Sequence, residues 1–151
     1  MPEYREKLWA SPAPYVATAL VIPASILVFA PISMLAGIII AACLYAACVL
    51  TLVLTSPVVE VKDGMVTAGK ARIATELVGE AAAFEGAEAT LERGRRLDAR
   101  AWLLIRGWVG PVVRIPIEDA TDPAPYWLVS TRHPQKLAAA INGSRRPASS
   151  N

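Results

Sequence analysis

Apolar and polar positions divide this chain into two regimes. Residues 8–59 contain no Asp, Glu, Lys, Arg or His, whereas beyond Val58 apolar and polar residues alternate in short runs. A hydrocarbon core of about 30 Å takes about 20 residues of α-helix per crossing, so the uncharged run is long enough for two crossings and a tight turn. Pro31, with Ser33 just beyond it, marks the turn: proline cannot donate within a helix and biases the residue before it away from helical geometry. The pattern predicts one helix near 13–30 and a second near 33–55. Pro23 is expected to kink the first.

The second regime has the period of strands. VVEV and MVTAG flank a turn in which Asp63 and Gly64 supply the chemistry, and ARIA after Gly69 adds a strand. AWLLIRGW (101–108) and VVRIPI (112–117) are the strongest strand signals, expected to join through a Gly110–Pro111 turn. Trp102, Leu104, Arg106 and Trp108 share one face of the first. Pro116 in the second suits an edge or bulge. ATLER before Gly94 reads as a short helix, and YWLVST as a further strand. In PQKLAAAI, Pro134 is placed as a first helical residue, with Asn142 and Gly143 as the stop. Ser130 or Thr131 is expected to cap this helix and His133 to lie exposed beside Pro134.

The fold class that follows is a membrane α-helical hairpin of two transmembrane helices plus a small cytoplasmic, mainly-β domain. Short strands followed by one C-terminal helix resemble a pleckstrin-homology-like split barrel. The expected divisions are residues 1–12 as a cytoplasmic segment along the inner surface, 13–55 as the hairpin, 57–143 as the β-rich domain and 144–151 as a disordered tail. Arg5 and Lys7 precede the first span and Lys62, Lys70 and Arg72 follow the second. By the positive-inside rule, both termini of this multi-pass chain are cytoplasmic and the membrane is the cell's inner one. Arg5 and Lys7 before an apolar run also resemble a signal peptide, but the second apolar stretch would still anchor a cleaved product.

YREKLW, the two apolar spans, VEVKDG with GKARI, LDARAWLLIRGWV and DPAPYWLVSTRHPQKLAAAI together resemble an uncharacterised family of actinobacterial membrane proteins classed as a domain of unknown function. PYWLVSTR is the most specific block, and the likeness covers nearly the whole chain. In that family a proline commonly follows the arginine of LLIR and a second arginine often follows Arg132; here those places hold Gly107 and His133. The resemblance implies an integral membrane protein and no known activity, cofactor or catalytic residue.

Net charge is +2, and no stripe of bases with stacking aromatics matches a nucleic-acid reader, so nucleic acid is not an expected partner. No cofactor, metal or catalytic residue is expected. Ser130, His133 and Asp119 or Asp122 could in principle form a triad, but no nucleophile-elbow glycines flank the serine. Glu118, Asp119 and Asp122 lack calcium-loop spacing and read as a solvated turn. Cys43 and Cys48 lie about 140° apart around one helix, too far for a disulfide.

The basic residues carry more weight. Arg93, Arg95, Arg96, Arg100, Arg106 and Arg114 stand against one acid, Asp98, with Trp102 and Trp108 between them and Arg132 further on. Three readings stay open. These arginines neutralise the acidic 76–92 segment, or with Trp108 they form a face for a protein partner, or they bind lipid headgroups. In the hairpin, Gly37 with Ala41 and Ala42 with Ala46 stand four apart, which lets backbones approach, either within the hairpin or between copies in a homo-oligomer. The expected function is a non-enzymatic integral inner-membrane anchor that presents its cytoplasmic β domain for protein interaction or membrane assembly. The alternative is a membrane enzyme on a lipid-linked, phosphate-bearing substrate, held by Arg106, Arg114 or Arg132.

Overall fold

The computed structural model describes residues 4–145. The chain forms two units, one of residues 9–56 and one that joins the N-terminal residues through Leu8 to everything from Pro57 onward.

The first unit is helical. Its two helices long and apolar enough to cross a membrane are Pro12–Phe29 and Met34–Leu54. The former is broken into α1 (Pro12–Ala19) and α2 (Val21–Phe29) at Leu20. Pro23 explains the position of the break: it lacks the N–H that would bond the carbonyl four residues back, and its ring clashes with that carbonyl, which belongs to Ala19. The expected kink is thus a break one turn before the proline. Helix α3 (Met34–Leu54) is continuous, and Ser33 caps it by accepting the Ala36 N–H at 3.3 Å. Gly37 is buried against α2, where a Cβ would stand 3.4 Å from the Ile26 Cα and the Phe29 Cβ.

In the second unit, β1 (Tyr4–Lys7), β2 (Val58–Lys62), β3 (Met65–Ala68) and β4 (Ala71–Ala74) form an antiparallel sheet in that order. Asp63 and Gly64 both take positive φ, 51° and 72°, in the two-residue turn between β2 and β3, as the Asp-Gly pair predicts. The N-terminal residues form a strand: Tyr4–Lys7 pairs with Val58–Val61 as the edge of this sheet. Nothing in YREK reads as a strand by itself, and the pairing is supplied by β2. Beside it the Leu8 N–H donates to the Pro57 carbonyl at 2.8 Å.

The second sheet, in the order β5-β7-β8-β6, comprises β5 (Ala82–Phe84), β6 (Trp102–Leu104), β7 (Val112–Pro116) and β8 (Tyr126–Ser130). AWLLIRGW and VVRIPI are therefore not a hairpin. Strand β8 lies between them, parallel to β6 and antiparallel to β7. Alternation specifies which residues face inward, not which strand is the neighbour; here the Arg106 N–H is taken by the Ser130 hydroxyl at 3.0 Å, and residues beyond it loop over to β7. Pro116 ends β7 beyond the reach of β5, where no ladder bond is lost.

One core joins both sheets and the last helix, α5 (Pro134–Ser144). Val59, Val61 and Val66 from the first sheet meet Val113, Ile115, Trp127 and Val129 from the second, closed by Leu137 and Ile141. The Trp102 and Trp127 rings pack with centroids 4.9 Å apart, tilted by 46°. The other face of the second sheet is covered by α4 (Gly86–Arg93), through Ala89 on Val112 and Leu128. Pro134 opens α5 as expected, but Asn142 and Gly143 do not stop it. The Asn142 amide instead clamps both backbone groups of Ala81, at 2.8 and 3.1 Å. Neither Ser130 nor Thr131 caps α5; its N-cap is His133, which uses no side-chain cap. Ser144 belongs to α5, and the remainder of the expected disordered tail, after Arg145, lies outside the described residues.

Candidate functional site

The arginines of the 93–114 segment differ in what they meet. Two of its arginines converge on one acid. Glu92 on α4 has a side chain 2% exposed, with the Arg114 Nη1 at 3.3 Å and the Arg96 Nη1 at 3.6 Å. Arg96 also reaches Glu88 at 2.7 Å. The Arg114 guanidinium lies over the rings of Phe84 and Tyr126, 5.3 and 5.9 Å from their centroids. The Tyr126 hydroxyl accepts the Asp98 N–H at 2.8 Å, which fixes the loop after α4.

The other arginines are placed singly. Arg93 donates to the Ala89 carbonyl of its own helix, and Arg95 is exposed just past the helix end. Arg100 pairs with Asp98 at 3.2 Å. Its hydrogen bond holds the Asp98 carboxyl below the usual range and the Arg100 guanidinium above its own. Arg96 is raised likewise, chiefly by its hydrogen bond to Glu88. Arg106 donates to the Ile105 carbonyl at 2.9 Å. Trp108 packs half-buried on the main core, and its indole N–H finds no acceptor among the described residues.

Arg132 belongs to a different place, the joint between β8 and α5. Its backbone N–H donates to Glu6 Oε1 at 2.9 Å, and Glu6 Oε2 accepts from the hydroxyls of Tyr4 and Thr131. Thr131 also accepts the His133 N–H at 3.1 Å. The Glu6 row of the first sheet, with Val59 and Ala68, faces the core, so an acid on an edge strand points inward and ties β1 to the joint. Burial, then the hydrogen bond that its hydroxyl donates to Glu6, pushes the Tyr4 phenol above its ordinary value. Sequence reasoning missed Glu6 and Glu92. The available signal was an acid where periodicity demands an inward residue: Glu92 stands three places from buried Ala89 on one helix face.

Ser130, Asp119 and Asp122 of the candidate triad each have other partners. Ser130 is fully buried with its hydroxyl accepting from Arg106, while Asp119 accepts from Thr121 and Asp122 from Ala124. The Thr121 hydroxyl bond holds Asp119 below the usual carboxylate range. No group of three or more His, Cys, Asp or Glu side chains able to hold a metal occurs among the described residues. In the hairpin, Gly37 and Ala41 are buried, whereas Ala42 and Ala46 line an open apolar groove with Ile22, Tyr45 and Val49.

The sequence model of a family described as a protein of unknown function, DUF3093, matches residues 3–141. The chain belongs to this family. No protein with a curated description and no solved structure matches it. Membership bears out the resemblance read from the sequence to a family of unknown function. The matched DUF3093 span runs from the residue before β1 into α5, so the N-terminal strand and both apolar helices lie within the family's shared region.

Proposed function

We propose that the protein is a non-enzymatic, integral inner-membrane anchor. In this reading its helices cross the bilayer twice, both termini stay in the cytoplasm, and a pleckstrin-homology-like β domain is held there to bind another protein or organise a membrane assembly.

The observation that carries the reading is the pairing of β1 with β2. All of α1, α2 and α3 lie in sequence between these two strands, and the strands pair at the ends that enter and leave the helices, Lys7 opposite Val58. Strands that pair lie on one side of a bilayer, so the segment between them crosses an even number of times. Two apolar helices, the second of 21 residues or about 31 Å, satisfy that count. Only 11% of the apolar window of α3 is buried, a degree of exposure that lipid accommodates and water does not. Basic residues on both flanks of the hairpin support the cytoplasmic side. Two sheets around one core, closed by α5, support the split-barrel reading. The exposed Arg95 offers a point for a protein partner.

The test uses the full chain with Cys43 and Cys48 changed to alanine, carrying one new cysteine at Ile32 in the helix turn or at Thr121 in the β domain. An impermeant maleimide on intact cells should label the first variant and spare the second until the membrane is opened. Labelling of Thr121→Cys in intact cells would sink the topology. In the same cells a photo-crosslinker at Arg95 should capture one reproducible protein. Turnover of a lipid-linked phosphate that is lost in Arg114→Ala with the fold intact would replace the anchor by an enzyme.

A further inference from the structure

One group of cations of the β unit lies outside the arginine-rich segment, on the first sheet. Register places Arg5, Glu60, Thr67 and Arg72 side by side in one cross-strand row. Since successive residues alternate faces, Lys7, Lys62 and Met65 share that side, while Tyr4, Val61, Val66 and Ile73 form a row toward the core. Lys70 sits in the turn between β3 and β4, beside Gly69, whose N–H bonds the Val58 carbonyl at 2.9 Å. Arg5, Lys62, Lys70 and Arg72 are exposed, and none forms an ion pair among the described residues. By contrast Arg96, Arg100 and Arg114 each have an acid within 4 Å. Among the described residues of these rows, Glu60 is the one acid.

The chain itself indicates what such a face meets. Lys7 is two residues from the unit that holds the apolar helices, and Val58 is two residues past its end. Along the strands, Lys62 is the farthest of these cations from that end, about 13 Å at 3.3 Å per residue. The others lie within roughly one Debye length, about 8–10 Å, where an anionic surface attracts strongly. We infer that the outer face of β1–β4, through Arg5, Lys62, Lys70 and Arg72, docks on the anionic phospholipid headgroups of the leaflet beside the hairpin. This rests on the reading that the hairpin spans the membrane. The protein-partner surface is then left to other sides of the domain.

The four lysines of the chain, Lys7, Lys62, Lys70 and Lys136, make the test direct. Lys136 is exposed on α5, away from this sheet face, and serves as the internal reference. The full chain is reconstituted in nanodiscs of phosphatidylcholine alone or with phosphatidylglycerol, and acylation by a neutral amine reagent is followed by mass spectrometry. Acylation at Lys70 should slow about five-fold against Lys136 in anionic discs, the scale of one cation at such a surface, and acylation at the more distant Lys62 should slow by less. High salt, with a Debye length of about 4 Å, should abolish the difference. Arg5→Gln with Arg72→Gln should weaken it. Equal rates in both discs, or equal slowing of Lys136, would overturn the docking face while leaving the anchor standing. A chain that fails to enter discs at all would overturn both. Protection of Lys62 and Lys70 that appears only when cytosolic protein is added would also overturn it, in favour of a protein partner.

Discussion

Glu92→Ala is the most informative single change in the β unit. The carboxylate is 2% exposed and holds Arg114 at 3.3 Å and Arg96 at 3.6 Å. Removing one partner of a buried pair costs about 3–5 kcal/mol, because the remaining charge loses its counter-ion in a place water does not reach. Arg114 is 39% exposed, however, and Arg96 keeps Glu88. Solvent therefore recovers part of the loss, and about 2–3 kcal/mol is expected. For a unit of this size that lowers Tm by about 10–20 °C. Urea or thermal unfolding of the full chain in micelles, read by fluorescence from Trp102, Trp108 and Trp127, measures it. Arg114→Ala and the double variant complete a cycle whose coupling should be about 1–2 kcal/mol. Glu92→Leu with Arg114→Met, which removes both charges, should come back near wild type. Additive single effects, or a Glu92→Ala loss under about 0.5 kcal/mol, would refute the idea that these charges act as a buried pair.

Three further outcomes follow from the geometry. Tyr4 has its phenol raised by burial and by Glu6, so the stability it contributes is complete below about pH 10 and is lost as pH rises, when the unfolded chain releases its proton first; in Tyr4→Phe the alkaline fall in unfolding free energy should be shallower. Asn142→Ala strips both hydrogen bonds from Ala81 and should cost about 1–3 kcal/mol in the same unfolding assay, with Asn142→Asp restoring only the bond from the Ala81 N–H. Pro23→Ala gives residue 23 an N–H for the Ala19 carbonyl and should merge α1 with α2, seen as slowed amide exchange across 19–23.

The hairpin was legible because an uncharged stretch of that length has few other uses, and the Asp63–Gly64 turn because its backbone requires residues that accept positive φ. The break at Leu20 was half legible: Pro23 announces a disruption, and only the four-residue reach of the missing bond places it. Strand β1 was not legible, since YREK has no apolar alternation and becomes a strand only when β2 offers a partner. The neighbour of β6 was hidden for a related reason: alternation in 101–108 gives faces, while the parallel pairing with β8 depends on a crossover with no local signal. Proximity in sequence did not say which arginines pair within the domain. Arg96, Arg100 and Arg114 spend their charge on Glu88, Glu92 and Asp98, whereas cations scattered from Arg5 to Arg72 gather on one sheet face once the strands are paired.

The β1–β2 pairing also orders events during synthesis. Strand β1 is made first and has nothing to pair with until two apolar helices have followed it and β2 has emerged behind them. Until then the inward-facing Tyr4 and Glu6 lack Thr131 and Arg132, which are made still later. Under the proposed topology, correct threading of the helices returns the edge strand to its sheet, whereas a chain whose first helix ended across the membrane would leave that sheet one strand short and its core open at Leu8. With the helices in the bilayer as proposed, completion of the β domain would double as an inspection of membrane insertion, since a misthreaded chain would expose an unfinished sheet edge.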